Sequence, residues 1–220
     1  MSVEDRRPRV STYRLVFFDV DSTLVTIEGI DVLGAGNPEV ARLTEMAMNG
    51  EISVEEVYGK RLDAIQPTRE AVDALGQRYV ASIVDGVEDA FATLRERGAV
   101  IHLVTAALAP AIKPLAARLR VSDRAVHAVG VTFDAKGNYV DFDRRNPLAR
   151  SGGKEVVVRD VRARTKGKAA FVGDGVTDLE TARAVDLFIG FGGVHVRPRV
   201  KENAPVFVTD FASVLEHLLA

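Results

Sequence analysis

Six residues of chemical interest stand where short apolar runs give way to polar sequence. Asp19 and Asp21 flank Val20 at the end of the run RLVFFD. One carboxylate can attack phosphorus as a nucleophile and form an aspartyl-phosphate. A second one nearby can protonate the leaving oxygen and later activate water. An Asp-x-Asp turn that merely closes a strand uses the same residues, so the pair alone leaves both readings open. Asp174 and Asp178 lie in Gly173-Asp174-Gly175-Val176-Thr177-Asp178. Four apart, they would share a face on one helical turn. Together with Asp19 they would make an oxygen-rich site suited to Mg²⁺, which takes a few carboxylates, waters and a substrate phosphate. Capping of a helix N-terminus explains the same two residues. Thr105 ends VIHLVT, and its hydroxyl and the Ala106 N–H can both donate to a phosphate oxygen. Lys154 follows Ser151-Gly152-Gly153, where it would neutralise phosphate or hold the Asp19 carboxylate; a solvated lysine fits as well. Phosphoryl transfer needs positioning and charge neutralisation above all, and the six residues together supply both.

The elements that must position them are readable from periodicity. Apolar runs at 14–19, 100–105, 169–174 and 187–191, and a shorter one at 206–209, lack polar alternation and predict buried parallel strands. Helical patterns at 87–97, 110–119, 154–164, 176–184 and 211–219 separate them. This alternation predicts a parallel sheet with helices on both faces. Residues 128–142 read instead as a hairpin around the turn DAKGN. In such sheets ligands bind outside the carboxyl ends of the strands, where Asp19, Thr105 and Asp174 fall. Residues 26–82 carry helical signals and no strand signal. Ser53 and Glu56 form a capping-box pair. Val54, Tyr58, Leu62 and Ile65 form an apolar stripe, and Pro67 is placed to open a further helix. The expected division is a core of residues 1–25 and 83–220 with an inserted helical cap of 26–82.

With 220 residues the chain has room for one α/β domain and a small insertion. Its net charge of −2 gives no reason to expect nucleic acid. It has no cysteine, which excludes disulfides and thiolate metal sites and suggests a cytosolic protein. The N-terminal apolar run is too short for a signal peptide or a membrane span, and Arg6-Arg7 lacks the apolar segment of an export signal.

The motifs DVDST, a strand-end Thr, a Lys after Gly-Gly and GDGVTD, in this order, resemble the four signatures of the haloacid dehalogenase superfamily, in its aspartate-nucleophile phosphatase branch. DVDSTLVTIEGIDVL, RLDAIQPTRE and GDGVTDLETARAVDLFIGFGG are similar to phosphoserine phosphatases, and the resemblance spans residues 13–210. It implies an α/β, Rossmann-like doubly wound parallel sheet with a small helical cap inserted after strand 1. It implies Asp19 as nucleophile, Asp21 as general acid/base, and Thr105, Ala106 and Lys154 as phosphate-binding groups. Mg²⁺ would be held by Asp19, the Val20 carbonyl and Asp174, with Asp21 and Asp178 beside them. Glu28 would take the substrate ammonium and Arg61 its carboxylate, with Thr177 and Met46 close to the substrate. The implied reaction is hydrolysis of the small phosphate monoester O-phospho-L-serine to L-serine and phosphate, the last step of serine biosynthesis. The implied protein works in the cytoplasm, without a membrane or nucleic-acid partner, and is compatible with a homodimer. A related phosphatase or phosphotransferase, or an Asp-phosphorylated signalling module, uses similar residues. The DxDST acid/base and the cap argue against the last. One departure stands out: the family's hydroxyl residue is followed by two glycines, and here the sequence is Thr105-Ala106-Ala107. Two methyl groups at this point bear on substrate fit and turnover.

Overall fold

A computed structural model describes residues 12–48 and 52–220; positions 1–11, including Arg6-Arg7, lie outside the described residues. Six strands form one parallel sheet in the order β3-β2-β1-β6-β7-β8. They are β1 (Leu15–Phe18), β2 (Val100–Leu108), β3 (Val126–Val129), β6 (Ala169–Gly173), β7 (Leu187–Phe191) and β8 (Val206–Val208). Every residue of β1 and β6 is buried, as apolar strands covered on both faces must be. From β1 the chain runs one way through α5 (Val87–Glu96), β2 and α6 (Ala109–Arg118) to β3. After α7 (Gly153–Arg164) and β6 it runs the other way, through α8 (Val176–Leu179), β7 and α9 (Pro198–Asn203), to β8 and α10 (Phe211–Leu219). With the right-handed crossovers that parallel sheets favour, the helices of the two halves cover opposite faces, and the switch point lies between β1 and β6. Asp19 and Asp174 leave the sheet side by side there.

Four elements differ from expectation. The hairpin is real but shorter, formed by β4 (Val131–Phe133) and β5 (Tyr139–Phe142) as a separate antiparallel pair. The residues before it form β3, an edge strand of the main sheet that its short VHAV sequence did not announce. β2 does not stop at Thr105. It bulges: Val104 pairs with His127, and pairing resumes only at Leu108 with Val129. The predicted helix over 176–184 divides into α8 and a 3₁₀ turn at Glu180–Arg183.

Between β1 and α5 lie α1 (Gly29–Leu33), α2 (Pro38–Met48), α3 (Val54–Ile65) and α4 (Arg69–Ala81). Ser53 Oγ accepts from the Glu56 N–H, while the Glu56 carboxylate turns to Lys60 at 2.8 Å rather than back to the cap. Of the predicted stripe, Leu62 is buried and Tyr58 and Ile65 are half-buried; the Val54 side chain lies outside the described residues. Pro67 does not open α4. Thr68 caps it, accepting from the Ala71 N–H, and Pro67 stands one residue before that cap. The chain leaves and rejoins the core at one place, where the Thr26 N–H donates to the Ser82 carbonyl and the Val84 N–H to the Leu24 carbonyl, both at 2.9 Å. Among the described residues no helix is long and apolar enough to cross a membrane.

Candidate active site

The switch point gathers a buried charge cluster. Asp19 extends β1, its N–H donating to the Val172 carbonyl of β6 at 3.0 Å. Lys154, in the first turn of α7, reaches Asp19 Oδ1 at 2.5 Å and Asp178 Oδ1 at 2.6 Å. Asp178 also accepts from the Gly175 N–H at 2.8 Å. One side chain thus both caps the helix start and pairs with the lysine. The approach demands glycine at 173, where any β-carbon would overlap the Asp178 carboxylate. Asp174 precedes the helix instead of riding on it, yet it converges with the others. Oxygens of Asp19, Asp174 and Asp178 all lie within 4.8 Å of one another.

Electrostatics follow from this crowding. Burial first, then the Asp178 carboxylate, push Asp19 well above the usual carboxylate range, against the pull of Lys154. Burial and Asp178 likewise raise Asp174 to about 6, opposed by Arg197. Burial works against the Lys154 charge, but Asp178 and Asp19 outweigh it and hold its ammonium above the ordinary lysine range.

Two expected ligands are placed otherwise. The Val20 carbonyl accepts from the N–H groups of Thr23, Leu24 and Val25. Its lone pairs are engaged by the turn that reverses the chain after β1. The Asp21 carboxyl stands outside the aspartate trio. Its Oδ2 accepts from the Gly29 N–H at 3.1 Å, and the Tyr79 hydroxyl lies beside the same buried carboxyl. Burial and then Glu28 push Asp21 up to about 7, so it holds a proton near neutrality, as a general acid must. Gly29 allows the approach, because a side chain there would collide with the Tyr79 hydroxyl.

A cavity of about 240 Å³ opens beside Asp21 and is lined also by Glu28, Arg61, Tyr58, Ala106 and Thr177. Glu28 accepts from Ser22 Oγ at 2.6 Å and from Arg197 at 3.1 Å. Burial lowers Arg61, with Asp31 and Glu28 opposing. Thr105 is buried at the β2 bulge, and its Oγ1 accepts from the Ala107 N–H at 3.1 Å. Met46 is not brought to this cavity; it packs in a satellite cluster with Leu43, Ile52 and Val57.

Two participants escaped the sequence reading. Arg197 donates from Nε to Asp174 Oδ2 at 2.7 Å and also bonds Glu28, tying the aspartate cluster to the cavity wall. Its only signal was a basic residue shortly after Gly192-Gly193. Thr23 donates to Asp174 Oδ1 at 3.3 Å, the hidden role of the threonine in DVDST.

A sequence profile of haloacid dehalogenase-like hydrolases matches residues 16–183. The chain belongs to this family. It is thus an enzyme and a hydrolase, not a signalling module. Among its haloacid dehalogenase-like relatives, the phosphoserine phosphatase of Mus musculus is 35% identical over 207 residues, 92% of either chain. That of Drosophila melanogaster is 36% identical over 92% of this chain and 77% of its own. In fold, the chain matches a phosphoserine phosphohydrolase-like protein from Francisella tularensis with a TM-score of 0.83. That match has 22% identity and covers 93% of this chain and 99% of the other.

Proposed function

We propose that the protein hydrolyses O-phospho-L-serine to L-serine and phosphate. The observation that carries this is the convergence of Asp21, Glu28 and Arg61 on one cavity, beside a nucleophile-bearing cluster at the switch point. Asp19 attacks phosphorus while Asp21 gives its proton to the departing serine oxygen, so the P–O ester bond breaks as the Asp19–P bond forms. Asp21, now a carboxylate, takes a proton from water. That water oxygen attacks phosphorus, releasing phosphate and restoring Asp19. Lys154 keeps Asp19 oriented throughout. Glu28 faces the substrate ammonium, and Arg61 offers its planar fork to the carboxylate.

Among the described residues, three carboxylates faced by Lys154 and Arg197 leave a net negative, all-oxygen donor set, which fits a small hard cation. Asp19, Asp174 and Asp178 would hold Mg²⁺, which supplies neutralisation of the phosphate charge when bound. The helical segment 26–82 serves as the cap. A cysteine-free, weakly acidic chain supports a cytoplasmic protein without a nucleic-acid partner, and light scattering in solution tests for a homodimer.

Phosphate release from O-phospho-L-serine, with and without Mg²⁺, is measured beside a panel of sugar and nucleoside phosphates. Preference for phosphoserine is expected, and equal turnover across the panel overturns the substrate assignment. Serine appearing in excess of free phosphate would point to transfer onto another acceptor.

A further inference from the structure

The bulge in β2 poses a polar problem that the helical segment solves. Between Val104 and Leu108 the strand pairing with β3 is interrupted, so the intervening peptide groups need partners from elsewhere. The peptide joining Ala106 to Ala107 finds them at both ends. Its carbonyl accepts from the Tyr58 hydroxyl of α3 at 2.7 Å. Its N–H donates to Thr105 Oγ1 at 3.1 Å. In a trans peptide these two groups point in opposite directions. The unit is therefore held from the α3 side and from the core side at once. Tyr58 is itself set by an edge-on contact with Phe142 of β5, ring centroids 5.1 Å apart.

We propose that Tyr58 is a positioning residue for phosphate binding, acting through the Ala106–Ala107 peptide on Thr105. The proposal rests on the phosphatase reading above. With its oxygen accepting from Ala107, the Thr105 hydroxyl has its single proton left to donate. With the Ala106 carbonyl turned to Tyr58, the peptide cannot flip. A flip would release the Thr105 oxygen and present a carbonyl where an anion must sit. Alanines at 106 and 107 favour this arrangement, because they lack the backbone freedom of glycine. Placing the restraint on α3 means that the phosphate groups are fully set only when α3 lies against the bulge.

Tyr58→Phe tests the idea, since it keeps the ring on Phe142 and removes only the hydroxyl. Inorganic phosphate affinity is read by calorimetry in the presence of Mg²⁺. Values of kcat/KM are read for phosphoserine and p-nitrophenyl phosphate. Loss of one hydrogen bond to a part-buried carbonyl is expected to cost roughly five- to tenfold in phosphate affinity, and as much in kcat/KM for both substrates. In a Thr105→Val background the same change should cost less than twofold, because Tyr58 acts through Thr105. An unchanged phosphate affinity in Tyr58→Phe overturns the proposal, as does an equal loss in the two backgrounds. Failure of the phosphatase reading shows separately, as a wild-type protein that releases phosphate from no monoester, and leaves the affinity comparison readable.

Discussion

The two walls of the site, the aspartate cluster and the neighbouring cavity, are built differently. On the sheet side, Lys154 is buried and held by two carboxylates at 2.5 and 2.6 Å, all on elements fixed by the parallel sheet. On the helical side, Glu28 and Arg61 are half-exposed; Glu28 directly precedes the short helix α1 and Arg61 stands on α3. The groups proposed to change bonds are buried beside the sheet, and those proposed to recognise the substrate sit where solvent is admitted. A buried charge must be paired or pay a heavy desolvation cost, so the reacting wall is also a structural element. The recognising wall, where Glu28 pairs with Arg197, carries a smaller share of that duty because it is half-exposed.

The sharpest way to break this contrast is Asp19→Asn. It should lower phosphate release by roughly 10⁴-fold or more, measured with phosphoserine at saturating Mg²⁺; substantial residual turnover would remove Asp19 from the nucleophile's role. Lys154→Met should show the structural side of the same wall. Stripped of their shared cation, Asp19 and Asp178 repel, and the loss should be about 3–5 kcal/mol in urea unfolding.

Buried but uncharged groups give the control. His102 of β2 stacks on Phe17, and its Nδ1 lies 3.2 Å from His127 Nε2. Burial and then His127 lower His102 from 6.5 to about 4. A group whose pKa is depressed in the fold contributes stability that is full above its unfolded value and lost as pH falls through the folded one. Stability should therefore drop between about pH 6.5 and pH 4, by roughly 2–4 kcal/mol more in the wild type than in His102→Gln. Parallel pH curves in unfolding titrations would refute it. The smallest effect belongs to the recognising wall. Arg61→Ala should raise KM for phosphoserine about 10- to 100-fold, with p-nitrophenyl phosphate turnover and melting temperature nearly unchanged. Equal losses on both substrates would make Arg61 structural.

What could be foreseen follows the same division. Asp19, Asp174, Asp178 and Lys154 were legible because each ends an apolar run or starts a helix, and parallel-sheet geometry brings such points together. The strand β3 was not, because VHAV at a sheet edge is short and half-buried. The extension of β2 was hidden by Ala106-Ala107, residues of low strand propensity that stay in the strand only by bulging. Arg197 was illegible for another reason. It lies far along the chain from Glu28, and the two meet only after α9 is docked beyond β7. The Val20 carbonyl has the right chemistry for a cation, and only the turn to Thr23, Leu24 and Val25 shows it engaged.

The two hydrogen bonds that join Leu24 and Thr26 to Val84 and Ser82 carry a consequence for the protein's history. They place both ends of the helical segment next to each other, so its length makes no demand on the spacing of β1 and α5. A short linker between Val25 and Ile83 would bridge the gap, and a longer or unrelated segment would fit the same sockets. Loop-closure entropy grows only slowly with such an exchange. The reacting wall is thus a chassis on which evolution, or an engineer, can swap the recognising wall and retarget the same phosphoryl chemistry.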